Sequence, residues 1–221
     1  MTSRLNSVNN QYSGSDALDY LQTTGHIHAM PRPSSRDRLV RSALETLHRQ
    51  GFNGSAVQDI TSAAGLPKGS FYNYFESKEA LALEVIDRYG TEQGALAAGL
   101  SDESLPPVER LRRYFAALAA NLAEQNYERG CLLGNFSTEL ADQSRVIRDR
   151  LRASFAAWSR QIETCIRDGQ QAGEISSELD PRVLASFLLN SFEGAMLRMK
   201  VEKDGSPLDD FMTLIFSRVL T

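Results

Sequence analysis

Histidine, cysteine and tryptophan are scarce in this chain of 221 residues. The three histidines are His26, His28 and His48, and none has a metal-ligand partner at a useful spacing. No glycine-rich phosphate loop or nucleophile elbow occurs, so the common signatures of phosphoryl and acyl transfer are missing. The two cysteines, Cys131 and Cys165, are too few and too far apart for a disulfide framework or a zinc site. They fit a reducing compartment, and the cytoplasm is the expected location. No apolar run reaches the roughly eighteen residues that a membrane span needs. The first residues are Ser, Asn, Thr and Gln, with no apolar signal core. Alternating strand patterns are also absent. No enzyme, metal or cofactor is expected. A helical enzyme, or an interaction bundle that does not touch DNA, is the competing class.

What is present is a hydrophobic fraction of 42 %, enough for a packed core, and an uneven charge. The whole chain carries −4, yet Arg32 to Lys78 carries +3, so the remainder carries −7. A small basic region joined to a larger acidic one is the asymmetry of a nucleic-acid reader attached to something else.

Residues 1–33 show no helical period, end in Pro31-Arg32-Pro33, and read as a flexible arm, with a short helix possible at Ser15 to Gln22. Met30 is an alternative start. From Arg36 the helical period takes over. Leu39, Ala43 and Leu47 form a stripe flanked by Val40 and Leu44, and Gly51 ends the helix. Ser55 is the expected N-cap of the next, which buries Val57, Ile60 and Ala64. After Gly65-Leu66-Pro67 a third helix spans Lys68 to Phe75, and Ser77 caps a fourth from Lys78 to about Gly99. Longer helices follow. They run from Pro106-Pro107 to about Gln125, Cys131 to Ala141, Ser144 to Ala172, Asp180-Pro181 to about Glu202, and from Ser206-Pro207 onward. The fold class is all-α with about nine helices. The units are the arm at 1–33, a DNA-binding domain at 34–80 and a larger domain at 81–221.

The stretch Ser62 to Leu81, "SAAGLPKGSFYNYFESKEAL", concentrates the signal. On a wheel of about 100° per residue, Phe75 and Tyr74 share the side of Phe71, whereas Gly69, Ser70, Tyr72 and Asn73 face away. A short helix behind a glycine-containing turn, anchored by aromatics and presenting polar groups, has the form of a recognition helix. "GF" at Gly51-Phe52, "DI…AAGLPKGSFYNYF" and "SKEAL" resemble the DNA-binding region of the TetR family of bacterial repressors, over about Arg36 to Asp87. Asn73 departs from it, because many relatives carry histidine there. The resemblance implies a three-helix DNA-binding domain, a larger ligand-binding bundle, and a homodimer on a palindromic double-stranded operator. The expected DNA contacts are Arg36, Lys68, Gly69, Ser70, Tyr72, Asn73, Tyr74 and Lys78.

In the larger domain, Leu184, Phe187, Leu188, Ser191 and Ala195 form one stripe, and Phe211, Leu214, Ile215 and Val219 a second. The resemblance assigns this helix pair to a four-helix dimer interface. A pocket for a small-molecule inducer is expected among Tyr114, Phe115, Leu118, Phe136, Phe155, Trp158 and Met196. "ERGCLLGNFSTEL" (Glu128 to Leu140) and "FEGAMLRMK" (Phe192 to Lys200) resemble a branch that answers to electrophiles, oxidants or small unsaturated acids. That likeness implies Cys131 as the sensing thiol and Lys200 as its neighbour, with a lowered thiol pKa. Cys165 is expected to be plain packing.

Overall fold

A computed structural model describes residues 33–220. The expected arm at 1–33 and the short helix at 15–22 lie, apart from Pro33, outside the described residues. The described chain from Ser34 onward forms one compact unit. Every regular element in it is helical. In order they are α1 (Ser35–Gln50), α2 (Val57–Ala63), α3 (Lys68–Asn73, wound as a 3-10 helix) and α4 (Lys78–Ala97). Then come α5 (Pro107–Glu124), α6 (Leu132–Leu140), α7 (Arg145–Gln171), α8 (Pro181–Glu202) and α9 (Ser206–Leu214). A 3-10 turn (Ala98–Ser101) extends α4, and a π-helical turn (Ile215–Val219) extends α9.

The boundaries follow side-chain caps. The hydroxyl of Ser34 accepts from the Asp37 N–H at 3.1 Å, and that of Ser77 from the Ala80 N–H at 3.0 Å. Ser144 caps α7 through the Ile147 N–H, and Asp180 caps α8 through the Arg182 and Val183 N–H groups. Each satisfies a donor that a helix start leaves open. Gly51 and Gly173 end α1 and α7 with φ of 78° and 73°, a region costly for any residue with a Cβ.

Three local expectations need correction. Ser55 does not cap α2. Ala56 holds the N-cap position, with its N–H on the Asp59 carboxylate at 2.7 Å, and the buried Ser55 hydroxyl donates back to the Gly51 carbonyl. The third helix ends at Asn73 instead of Phe75, so Tyr74, at φ −119°, leaves the helical path and turns outward while Phe75 stays buried. At α9 the cap position falls on Gly205, because the Asp204 carboxylate already takes the Ser206 N–H and hydroxyl.

Two centres hold the interior. In the headpiece formed by α1 to α3, Leu39, Leu47, Ile60 and Phe71 are fully buried against Leu81 of α4. Truncating Phe71 to alanine there costs about 3–5 kcal/mol. In the larger bundle Phe115 is the hub, with Phe192 and Phe211 each 5.1 Å away between ring centres. Buried Arg110 ties that bundle together by donating to the Leu100 and Leu105 carbonyls and to Asp168.

Candidate DNA-reading surface and ligand cavity

Residues near α3 divide into those that are free and those that are pinned. Lys68, Gly69, Tyr72, Asn73 and Tyr74 are exposed, and Tyr72 keeps 62 % of its surface in water. One edge of the Tyr72 ring meets Phe71 at 5.2 Å between centres, and the rest is free to meet a partner. Half-buried Ser70 donates to the Pro67 carbonyl at 2.7 Å, so its hydroxyl keeps acceptor capacity only. A Cβ at Gly69 would meet nothing within 4 Å. No internal contact demands glycine at that position, and its backbone is open to close approach.

Two expected contacts are engaged internally. Arg36 pairs with Glu84 and lies 5.2 Å above the Phe75 ring, so it fastens α1 to α4. Lys78 does not project from the start of α4 toward a phosphate. Its ammonium donates to the Phe52 and Ser55 carbonyls and sits 4.2 Å over the Phe52 ring. Burial pushes its pKa down. Sequence position at a helix start could not show this, because the partner carbonyls lie more than twenty residues upstream. Arg38, absent from the expected set, reaches the Ala64 and Gly65 carbonyls at 2.5 and 3.2 Å and braces the turn before α3.

A cavity of about 510 Å³ lies between α1 and the larger bundle. α1 supplies Arg41, Leu44, Glu45 and His48, and α5 supplies Leu118, Asn121 and Leu122, followed by its C-cap Gln125. Arg88 and Tyr89 of α4, Trp158 of α7, and Phe192 and Met196 of α8 complete much of the wall, with Arg129 and Gly130 at one side. A second space of about 290 Å³ takes Tyr114 and Leu133 and shares Tyr89 and Trp158 with the first. Leu118, Trp158, Met196 and Tyr114 therefore stand where a pocket was expected. Phe115 and Phe136 do not, since both are fully buried core, Phe136 edge-on to Phe52 at 6.2 Å. Phe155 stacks behind Trp158 at 6.4 Å and lines neither space. The α1 residues were not legible as lining, because helical periodicity reports burial and not which helices part to leave room.

Buried polar atoms without partners concentrate here. Gln125 Oε1 and Trp158 Nε1, both on the large cavity's wall, and Glu193 Oε1 make no hydrogen bond among the described residues. The Trp158 N–H faces the Tyr114 hydroxyl without reaching bonding geometry. Unmet groups of this kind cost about 1–3 kcal/mol each unless something bonds them. Burial holds His48 down to about 4, so the ring is neutral. Its Nε2 lies 2.9 Å from the Gly130 carbonyl; a carbonyl only accepts, so that nitrogen carries the proton.

Cys131 is the N-cap of α6 and is buried. The expected lowering of its pKa is reversed. Burial and then the neighbouring Glu193 carboxyl push it well up, outweighing the Gly134 N–H that favours the thiolate. Burial also raises Glu193. Lys200 does not supply a stabilising charge at the sulfur; its ammonium is 3.3 Å from Asn135 Oδ1 and its stem packs against Gly130. Tyr89, which lines the cavity, has its hydroxyl 3.9 Å from the sulfur. Cys165, buried against the Pro107 carbonyl at 3.4 Å and raised to about 11, is packing, as expected.

The stripe expected on α8 and α9 is split by the structure. Leu184, Leu188, Phe211 and Ile215 are buried within the protomer, and Ser191, Ala195 and Val219 are half-buried. Phe187 and Leu214 are exposed, at 49 % and 56 %. The outward apolar line on α8 runs instead through Val183, Phe187, Leu197 and Val201, with Asn190 and Gly194 completing a four-three spacing. That spacing is readable in the sequence, one residue out of phase with the stripe that was chosen.

A basic headpiece with a short exposed reading helix, set on a helical bundle with a half-open cavity between them, defines a helix-turn-helix transcriptional regulator. Residues 39–85 match the model for bacterial regulatory proteins of the tetR family, and residues 107–215 match the tetracyclin repressor-like C-terminal domain. The chain belongs to the TetR family of transcriptional regulators, which are ligand-responsive repressors and not enzymes. It is 45 % identical to the HTH-type transcriptional repressor DhaR of Mycobacterium sp. strain GP1, over 86 % of this chain and 95 % of that one. It is 36 % identical to the transcriptional regulator AcuR of Cereibacter sphaeroides, covering 81 % and 82 %. The crystal structure of a regulatory protein TetR from Rhodobacter sphaeroides superposes with a TM-score of 0.79 at 34 % identity, over 85 % of this chain and 99 % of that one. Reduced E. coli NemR, at 22 % identity and a TM-score of 0.77 over 85 % and 97 %, shares the fold. Among the described residues no helix is long and apolar enough to cross a membrane.

Proposed function

We propose that the chain represses transcription in the cytoplasm by binding a palindromic operator as a homodimer, and that a small molecule in the 510 Å³ cavity releases it. The observation that carries this reading is the cavity's position. Four of its lining residues belong to α1, the first helix of the headpiece, so an occupant touches both units at once. Residues 34–80 act as the DNA-binding unit and 81–221 as the ligand and dimer unit, with α4 running between them. Lys68, Gly69, Ser70, Tyr72, Asn73 and Tyr74 meet DNA. Two such headpieces, set about one helical turn apart (~34–36 Å), read two half-sites. The exposed line Val183, Phe187, Leu197 and Val201 on α8, with Leu214 on α9, is the self-complementary surface that pairs two copies.

A ligand shifts this equilibrium only by its differential affinity for the two states. The cavity's unpartnered donor and acceptor favour a noncovalent inducer. Covalent capture at Cys131 is a second reading, supported by the Tyr89 bridge from cavity wall to sulfur. The test is fluorescence anisotropy on the DNA upstream of the coding sequence, with and without candidate small molecules, for wild type, Tyr72→Ala and Cys131→Ser. Loss of binding in Tyr72→Ala, with release retained in Cys131→Ser, supports the noncovalent repressor. Wild-type affinity in Tyr72→Ala at matched salt overturns the reading helix, and release lost in Cys131→Ser moves the signal to the thiol.

A further inference from the structure

The loop Gly51 to Ser55 joins α1 to α2 and so sets where the helix-turn-helix begins. Its two polar faces are gripped by different helices. On the N–H side, the Glu139 carboxylate of α6 accepts from the Phe52 N–H at 3.1 Å and the Asn53 N–H at 2.7 Å. On the C=O side, the Lys78 ammonium of α4 donates to the Phe52 and Ser55 carbonyls. Glycine at position 51 makes the first grip possible. Its φ is 78°, and a Cβ there would lie 2.6 Å from Glu139 Oε1. The carboxylate thus occupies the space that any other residue would fill.

The other end of α6 is fastened to the same headpiece. His48, in the last turn of α1, is bonded to the Gly130 carbonyl one residue before the N-cap Cys131. Between these ends the Phe52 ring stands edge-on to Phe136 of α6. A nine-residue helix is therefore bolted to the end of α1 at both of its own ends, and its first end borders the large cavity through Gly130. Charge-assisted bonds from a carboxylate to two adjacent backbone N–H groups are directional and strong. A shift of α6 relative to α4 must therefore pull the loop between Glu139 and Lys78.

We propose that Glu139 is a positioning residue for operator binding: through its paired bonds to the Phe52 and Asn53 N–H groups it transmits the position of α6 to the helix-turn-helix. It acts through the backbone and touches no DNA. The proposal rests on the reading of residues 34–80 as the DNA-binding unit, and its test separates the two.

The test is a double-mutant cycle on the full-length dimer that needs no inducer. Cys131→Trp wedges the first turn of α6, and Cys131→Leu is the milder wedge if the larger one does not fold. Glu139→Ala removes the grip, and Glu139→Gln keeps one acceptor while placing an NH2 against the second N–H. Operator Kd is measured by anisotropy, and amide hydrogen exchange is followed at Phe52 and Asn53. The wedge is expected to weaken operator binding about tenfold in the presence of Glu139 and less than about threefold in Glu139→Ala, a non-additivity in the range of allosteric couplings. The wedge should also speed exchange at Phe52 and Asn53 when Glu139 is present. Glu139→Gln should fall between the two backgrounds. Additive effects on Kd in folded dimers overturn the proposal, because a carboxylate that only stabilises the fold gives no coupling. A wedge that leaves exchange at the two amides unchanged also overturns it. Wild-type protein that fails to bind the upstream DNA refutes the DNA reading instead, and the exchange measurement then decides on the linkage alone.

Discussion

The headpiece and the bundle treat buried polarity in opposite ways. In the headpiece each seam is closed. Arg38 fills the carbonyls of the turn before α3, Asp59 takes the Ala56 N–H, and Lys78 and Glu139 satisfy the two faces of the loop after α1. In the bundle Gln125, Trp158 and Glu193 each leave a buried atom unmatched. A reader of DNA must hold a few side chains in fixed register over a groove, and closed networks supply that rigidity. A ligand domain needs groups that are incomplete until something arrives. The difference also explains why the cavity lies at the seam between the units, where an occupant can complete one and move the other.

The contrast can be broken first on α8, where the inner and outer lines differ by one residue in phase. Leu184→Asp puts an unpaired carboxylate in the protomer core, so the chain should fail to fold, seen as loss of helical circular dichroism. Leu197→Asp should instead give folded monomers, with operator binding roughly 100-fold weaker, ~2.8 kcal/mol by the rule of tenfold per 1.4. Folded, dimeric Leu197→Asp in sedimentation would place the interface elsewhere.

The next effect is on pH. His48 is held at about 4 against an ordinary 6.5, so the unfolded chain binds the proton more tightly than the native one. Stability is present above 6.5 and drains away as pH falls toward 4, by about 3 kcal/mol at 1.36 per pH unit. Denaturant melts from pH 7 to pH 4 should show this slope in wild type and lose most of it in His48→Gln.

A smaller effect separates the two lysines of the headpiece. Lys78→Met should cost about 2 kcal/mol of stability, since it strips the charged donor from the Ser55 carbonyl and leaves the Phe52 carbonyl only the Ser55 N–H, without changing the salt dependence of operator binding. Lys68→Ala should leave stability alone and lower the salt slope by about one unit. A reversed pattern would restore Lys78 as the phosphate contact. The smallest effect is expected in the bundle. Trp158→Phe removes an unmet N–H, a gain, and also part of the ring's packing, a loss, so the melting free energy should move by less than about 1 kcal/mol.

The helical fold was legible because caps and stops are local: Ser77, Asp180 and the positive-φ glycines act within a turn or two of the chain. The reading helix was legible for the same reason, Phe71 and Phe75 facing in and Tyr72 and Asn73 out within six residues. What could not be read are the long-range partners. The carbonyls that engage Lys78, the Glu193 carboxyl that helps to keep Cys131 protonated, and the α1 wall of the cavity are set by packing between distant segments. Cys131 shows this most clearly. Its place at a helix start argues for an acidic thiol, yet desolvation and one carboxyl from α8 outweigh the helix end.

Trp158 is the only tryptophan in the chain, and its indole borders the 510 Å³ cavity and the 290 Å³ space beside it, with Phe155 stacked against it. The native protein's near-ultraviolet emission therefore comes mainly from the wall of the proposed inducer site. A molecule that enters either space and bonds the free indole N–H changes the polarity around a single emitter. A library can then be screened by the colour and yield of that light in plain buffer, with no label attached and no operator known in advance.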